Sequence, residues 1–203
     1  VGRVIARPYI GTKEGHFTRT SNRHDYALAP FSKTALDSLK DAGLDVIGVG
    51  KIPDIFVDQG ITRKIKTVSN EDGMNKTIEL ASDNFNGLAF INLVDFDAVY
   101  GHRRNAAGYG KAIEEFDVQL GELINELKND DLLMVTADHG NDPTYRGTDH
   151  TREQVPLIIY SKQFNEMKVL NDGDSFGIIG STICDNFNVK YNGIGSSILE
   201  LLK

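Results

Sequence analysis

The sequence predicts an α/β protein built on a mostly parallel sheet. Short apolar runs of strand length recur along the chain, and amphipathic segments with apolar residues three or four positions apart lie between them. The runs at 87–94 and 131–137 are continuously apolar, which is typical of strands that are covered on both faces. Strands that alternate with helices in this way favour a parallel sheet with helices packed against it.

Residues 1–30 differ in character from the rest of the chain. Turn-forming and polar residues dominate this segment up to Pro30, and only VGRVIA and DYALA resemble strands. The chain begins at Val1 without a Met and opens directly into the first of these strands. We therefore expect it to be part of a longer protein.

A regular alternation of elements begins near Ser32. Ser32 is predicted to cap a helix that runs to about Ala42, and Gly43 is predicted to end it. Further strands are predicted at 44–50, 65–69, 87–94, 131–137 and 155–160, and further helices at 73–83, 175–187 and 194–202. The clearest helix carries a core-facing stripe formed by Ile113, Phe116, Leu120, Leu123, Ile124 and Leu127.

Composition narrows the classes of function. A chain of 203 residues can bury one sizeable core, and its net charge of −7 argues against a nucleic-acid partner. No apolar run approaches the roughly 18 residues of a membrane helix, and no signal-peptide pattern is present, so no membrane association is expected. The single Cys184 excludes an intrachain disulfide, indicates a reducing compartment and favours a cytoplasmic protein.

Three short motifs combine aspartate and histidine. Carboxylate and neutral imidazole together suit divalent zinc, manganese or iron. One Asp–His pair is more often a turn or a helix cap, but six such groups can hold two ions, an arrangement suited to phosphoryl transfer. The motifs are Asp97-x4-His102, Asp138-His139 and Asp149-His150.

Two of the motifs directly follow predicted strands, where ligands bind in open α/β sheets. The third precedes the strand at 155–160, so His150 must reach the same edge from the returning loop. Spacing does not separate Asp95 from Asp97, since both point to one face of an extended strand. We expect the Asp and His side chains of the three motifs, with Asp95 or Asp97 from the first, to converge at this edge.

Longer strings around these motifs resemble the phosphopentomutase family of the alkaline phosphatase superfamily. The strings are NLVDFDAVYGHRR and TADHGNDPTYRGTDHTREQVPLI, with NRHDYALAP and VGVGKIPDIF, and the resemblance covers essentially the whole chain. Cofactor-independent phosphoglycerate mutases share TADHGN, but three residues typically separate their earlier Asp and His, and four separate Asp97 from His102.

The resemblance implies a three-layer alkaline-phosphatase-like core with a mostly parallel sheet, incomplete in this chain. Residues 1–30 would be the C-terminal tail of a cap domain and a linker. Residues 31–203 would be the C-terminal part of the metal-binding catalytic domain.

The resemblance also implies an isomerase of pentose phosphate metabolism, which interconverts ribose 1-phosphate and ribose 5-phosphate, and the deoxyribose pair, with two manganese ions. One ion would bind Asp97, His102 and His150, and the other Asp138 and His139. A further Asp and a phosphorylated Thr would come from the N-terminal half of the enzyme, and no stretch of this chain matches them. No catalytic nucleophile is assigned to this chain, which we expect to be inactive alone.

Four other polar residues receive weaker assignments. Arg3 and Lys51 resemble family positions that contact the distal phosphate of the sugar. The alternative is that Arg3 is a surface strand residue and Lys51 a loop residue, as such side chains usually are. We expect Lys51 to face the metal site across a cleft and Arg3 to approach from the cap segment. Arg104 is interpreted as ion-paired scaffold and Asn141 as a turn-former.

Two alternatives remain open beside the sugar-phosphate mutase. One is another enzyme of the superfamily, such as a cofactor-independent phosphoglycerate mutase, which the nucleophile would distinguish. The other is a metal-binding fragment without activity.

Overall fold

The computed structural model describes residues 3–6, 8–20 and 24–202, without the side chains of Arg3, Arg19, His24 and Asp25. Its first part, residues 3–27, forms two small antiparallel pairs. β1 (Arg3–Ala6) pairs with β4 (His24–Ala27), and β2 (Tyr9–Ile10) pairs with β3 (Thr18–Arg19). The strands predicted within VGRVIA and DYALA are therefore both present.

The core is a parallel sheet of three strands, in which β5 (Asp45–Val49) lies between β6 (Arg63–Ile65) and β7 (Gly87–Ile91). Successive side chains of β5 point to opposite faces. Val46 packs in a cluster with residues of α1 (Ala35–Asp41) and α5 (Gly177–Asn186). Ile47 and Val49 pack on the other face with Leu80 of α3 (Asn70–Ser82). Helices thus cover both faces of the sheet, and the predicted α/β class is confirmed.

The remaining elements build on this core. α2 (Ile52–Ile55) follows β5, and a π-helical turn (Phe96–Gly101) follows β7. The long α4 (Ala106–Glu126) packs against α3. β8 (Leu133–Thr136) and β9 (Leu157–Tyr160) form a separate antiparallel pair, and a 3-10 turn spans Leu199–Leu201. Among the described residues, no helix has both the length and the apolar character that a membrane span requires.

Helix α1 begins two residues later than Ser32 would place it. Thr34 is the N-cap: its hydroxyl accepts from the Asp37 backbone N–H, and the Asp37 carboxylate accepts from the Thr34 backbone N–H at 2.8 Å. This capping box requires an acidic or amide side chain three residues after the cap, and Ala35 occupies that place relative to Ser32. Gly43, with a φ of 82°, follows the helix end as predicted.

Three other sequence predictions need correction. The strand predicted at 65–69 lies at 63–65, because Ser69 instead caps α3 by accepting from the Asp72 backbone N–H. The helix predicted at 194–202 is only the 3-10 turn, since Gly195 with a φ of 92° interrupts helical backbone. Ile113, placed in the core-facing stripe of α4, is 48% exposed.

Cys184 is buried against α1 and is 1% exposed. Burial raises the pKa of its thiol, which disfavours the reactive thiolate. The residue therefore acts as a small apolar core side chain.

The capping box predicts different effects of two nearby substitutions. Thr34→Ala should lower the free energy of unfolding by about 1 kcal/mol, because it removes the side-chain cap of α1. Ser32→Ala, at an exposed position outside the helix, should leave it unchanged. Urea titration followed by circular dichroism measures both, and equal destabilisation by the two variants would contradict the assignment of Thr34 as the cap.

Candidate metal site

The π-helical turn after β7 brings Asp97 and His102 to one side of the backbone. The His102 backbone N–H donates to the Asp97 carbonyl at 2.9 Å, a hydrogen bond that spans five residues and stacks residue 102 over residue 97. As a result, Nε2 of His102 lies 3.4 Å from Oδ2 of Asp97. The four-residue spacing noted in the sequence thus suits a π turn.

The chain returns from β8 to β9 in the antiparallel direction, and this return carries His150 to the same place. An isolated bridge between Gly140 and Thr151 closes the loop between them. The rings of His139 and His150, one on each side of this bridge, stack with centroids 3.9 Å apart. Nε2 of His150 lies 3.2 Å from Oδ1 of Asp97.

We name the five predicted ligands, Asp97, His102, Asp138, His139 and His150, the Asp–His cluster. Ligand atoms of Asp97, His139 and His150 all lie within 4.8 Å of one another. His102 joins them, with its Nε2 at 3.2 Å from Nε2 of His150. Asp138 is at the margin: its side chain is 72% exposed, and its Oδ2 lies 3.7 Å from Nε2 of His139. The structure thus gathers four of the five side chains and leaves Asp138 beside them, facing solvent.

The hydrogen bonds of two histidines direct lone pairs into the cluster. Nδ1 of His102 lies 2.5 Å from the Thr148 carbonyl oxygen, and Nδ1 of His139 lies 3.1 Å from that of Gly140. A carbonyl oxygen only accepts, so each Nδ1 carries the proton and each Nε2 of the neutral ring keeps its lone pair. Metal-binding histidines commonly have this arrangement. A carboxylate and several imidazole lone pairs that face one space fit a divalent ion that takes mixed oxygen and nitrogen ligands.

The residue before Asp97 packs against aromatic side chains of α4. This residue, Phe96, contacts the rings of Tyr109 and Phe116 with centroids 5.7 and 6.0 Å away. Burial, and secondarily the charge of Asp97, raise the pKa of the Tyr109 hydroxyl. The Asp97 charge thus lies close enough to these aromatic side chains to act on the Tyr109 hydroxyl.

Arg104 has a different role from the ion-paired scaffold expected from the sequence. Its guanidinium donates to Oδ1 of Asn141 at 2.7 Å. It also donates to four main-chain carbonyls, one in the π-helical turn and three in the loop at 141–149. The carbonyls are those of Gly101, Asp142, Gly147 and Asp149.

Asn141 is also more than the turn-former expected from the sequence. It is 7% exposed, and its amide donates to Oδ1 of Asp97 at 2.7 Å. Its position directly after ADHG is the only sequence signal, and that signal does not identify its partner.

The structure separates Asp95 from Asp97. The Asp95 carboxylate accepts from the Asn70 backbone N–H at 2.8 Å, and the Asp95 backbone N–H donates to the Asn70 side chain at 2.9 Å. Asp95 therefore anchors the start of α3, whereas Asp97 belongs to the cluster.

Lys51 lies at the start of α2 and lines an open cleft of about 590 Å³. The cleft is also lined by Val94 and Asp95, which directly precede the π-helical turn. The other predicted phosphate contact, Arg3, begins β1, but its side chain is outside the described part of the chain.

Substitution of the two aspartates should have separable effects. Asp95→Ala should lower the free energy of unfolding by about 1–2 kcal/mol, because α3 loses a charged hydrogen-bond acceptor, while metal affinity of the folded protein stays unchanged. Asp97→Ala should reduce metal affinity sharply, because it removes the only carboxylate in the three-residue group. Denaturant titration and calorimetric Mn²⁺ titration measure the two effects, and loss of affinity in the Asp95 variant would contradict this division.

The chain is similar to known proteins along its whole length. The chain is 59% identical to the phosphopentomutases of Agathobacter rectalis and Clostridium botulinum, and 57% identical to that of Clostridium beijerinckii. Each match covers 100% of this chain and 52% of the relative, so the chain spans about half the length of these relatives. The resemblance to the phosphopentomutases noted in the sequence is confirmed.

A family profile also matches most of the chain. The profile is that of the Metalloenzyme superfamily, and it matches residues 8–191, which include the whole Asp–His cluster. The chain therefore belongs to the Metalloenzyme superfamily.

Proposed function

We propose that the chain forms the metal-binding part of a phosphopentomutase, which interconverts ribose 1-phosphate and ribose 5-phosphate and the deoxyribose pair. The observation that carries the proposal is the convergence of Asp97, His139 and His150 within 4.8 Å, with His102 beside them. The names of the relatives support the reaction. Because the chain spans about half of their length, the activity belongs to the proposal and to a longer protein.

In this proposal the Asp–His cluster holds two manganese ions. Asp97, His102 and His150 hold the first. Their carboxylate oxygens and Nε2 atoms lie 3.2–3.4 Å apart, which supports binding to one shared ion. Asp138 and His139 hold the second, and the stacking of His139 on His150 brings the two positions side by side. When bound, the ions would supply positive charge to the attacking and leaving oxygens of phosphoryl transfer.

The second position needs groups from elsewhere. Asp138 and His139 supply two ligands. We propose that a carboxylate and a phosphorylated Thr come from the half of the enzyme that lies outside these 203 residues. The exposure of Asp138 supports this proposal, because a carboxylate at the margin of the cluster is open to such a neighbour.

A large open cleft supports contact with that other half. The cleft, of about 1940 Å³, lies between β9 and the C-terminal segment, and exposed Ile158, Phe176 and Leu201 line it. Exposed apolar side chains grouped in one cleft are typical of an interaction surface. We propose that residues 31–203 complete a catalytic domain with the other half, and that residues 1–30 belong to a cap domain.

The proposal predicts that the isolated chain of 203 residues lacks mutase activity. It should bind one Mn²⁺ well and a second weakly, because the second position has only Asp138 and His139. It should show no turnover, because the proposed phosphorylated Thr, which forms the covalent intermediate, belongs to the other half. Calorimetry with MnCl₂ and a coupled ribose 1-phosphate assay test this. Two tight sites, or measurable turnover, would show that the chain needs no further half.

The natural protein that contains this sequence should convert ribose 1-phosphate to ribose 5-phosphate in the same assay. The interconversion of phosphoglycerates serves as the comparison reaction for the rival mutase family. Turnover of phosphoglycerates without turnover of ribose 1-phosphate would refute the phosphopentomutase assignment.

Lys51 provides a test of substrate binding. In the natural protein, Lys51→Ala should raise KM for ribose 5-phosphate more than it lowers kcat, because a phosphate contact stabilises ground and transition states alike. Lys111→Ala, on the exposed side of α4 where Lys111 pairs with Glu115 at 3.5 Å, is the matched control and should change neither constant. An unchanged KM in the Lys51 variant would exclude this role.

A further inference from the structure

We infer that Asn141 and Arg104 are positioning residues that orient Asp97 and the His150 segment for metal binding. The inference rests on the metal site of the proposed function. It assigns a role to a side chain that contacts Asp97 directly, Asn141, and to one that acts through Asn141 and the backbone, Arg104.

The first step is the hydrogen bond from Asn141 to Asp97. Nδ2 of Asn141 lies 2.7 Å from Oδ1 of Asp97, and this amide is buried, so little water competes for the bond. Fixing Oδ1 also sets the rotation of the carboxylate. The same Oδ1 then lies 3.2 Å from Nε2 of His150, while Oδ2 lies 3.4 Å from Nε2 of His102.

The second step is the orientation of the amide itself. Arg104 donates to Oδ1 of Asn141 at 2.7 Å. A guanidinium only donates and a carboxylate only accepts, so the amide between them has one favourable orientation, with its NH₂ group toward Asp97. A carboxamide can accept from one neighbour with its oxygen and donate to the other with its NH₂ group.

The third step is steric. Gly101 is buried in the π-helical turn, and a Cβ atom at this position would lie 2.6 Å from Nδ2 of Asn141 and 2.7 Å from its Cγ. Asn141 therefore occupies space that only glycine leaves open. The turn that carries Asp97 and the amide that orients Asp97 are packed directly against each other.

Arg104 acts on the second ligand through the backbone. Its guanidinium donates to the carbonyls of Gly147 and Asp149 at 2.5 and 2.6 Å, so it holds the residue immediately before His150. Arg104 itself has a φ of 53°, in the left-handed region that costs free energy for a residue other than glycine. The surrounding hydrogen bonds compensate for this conformation.

The test is calorimetric Mn²⁺ titration of the natural protein, at a temperature where circular dichroism shows each variant to be folded. Asn141→Leu removes the amide at similar size, Gly101→Ala displaces it with every polar group retained, and Arg104→Gln removes the guanidinium. Each should weaken Mn²⁺ binding by about 10- to 100-fold, the range for residues that orient metal ligands. Arg146→Gln, at an exposed arginine of the same loop, controls for the lost charge and should not change the affinity.

The outcomes distinguish the inference from the proposed function. The inference would be wrong if the folded Asn141→Leu and Gly101→Ala variants bound Mn²⁺ with wild-type affinity. A lower unfolding temperature alongside that affinity would mean that Asn141 only stabilises the fold. If Asn141→Leu does not fold, Asn141→Ala, which likewise has no polar side-chain group, takes its place with the same expectation. Failure of the unaltered protein to bind Mn²⁺ would overturn both the proposed function and the inference.

Discussion

The geometry of the Asp–His cluster depends on the guanidinium of Arg104. The residues of the Asp–His cluster lie in two segments, one after β7 and the other between β8 and β9. Within the described part of the chain, β7 and β8 share no strand pairing. A ladder of backbone hydrogen bonds therefore does not set the distance between Asp97 and His150. Arg104 joins the two segments instead, by binding carbonyls on both sides and the amide of Asn141. Arginine suits this task because its several N–H donors have a rigid planar arrangement.

The cluster combines order with access to solvent. Backbone carbonyls select the tautomers of His102 and His139, and the stacking of His139 on His150 limits ring rotation. The side chains of the cluster nevertheless stay partly exposed, from 32% for Asp97 to 72% for Asp138. Catalytic metal sites keep a ligand position open for water or substrate, whereas structural sites are closed by protein ligands. The exposure thus fits a site at which a phosphate could reach a bound ion.

The parts of the fold that could be predicted are those specified by local pattern. The buried strand β5 and the helices on either face of the sheet follow from apolar runs and helical stripes. Boundaries were less predictable, because the choice between Ser32 and Thr34 as N-cap depends on which residue lies three positions later. The pairing of β8 with β9 in the antiparallel direction, which explains how His150 returns to the site, also required the structure.

By itself, the sequence determined the α/β class, the family and the residue types from which a metal site could be built. Spacing left Asp95 and Asp97 equivalent, because alternation along a strand puts both on one face, and the family resemblance selected Asp97. Only the tertiary structure gave the physical difference, which lies in the contacts of Asp95 with Asn70. Only the tertiary structure identified the partners of Arg104 and Asn141, which are 37 positions apart along the chain. Local spacing predicts contacts within one element, whereas hydrogen bonds between distant segments depend on how the whole chain packs.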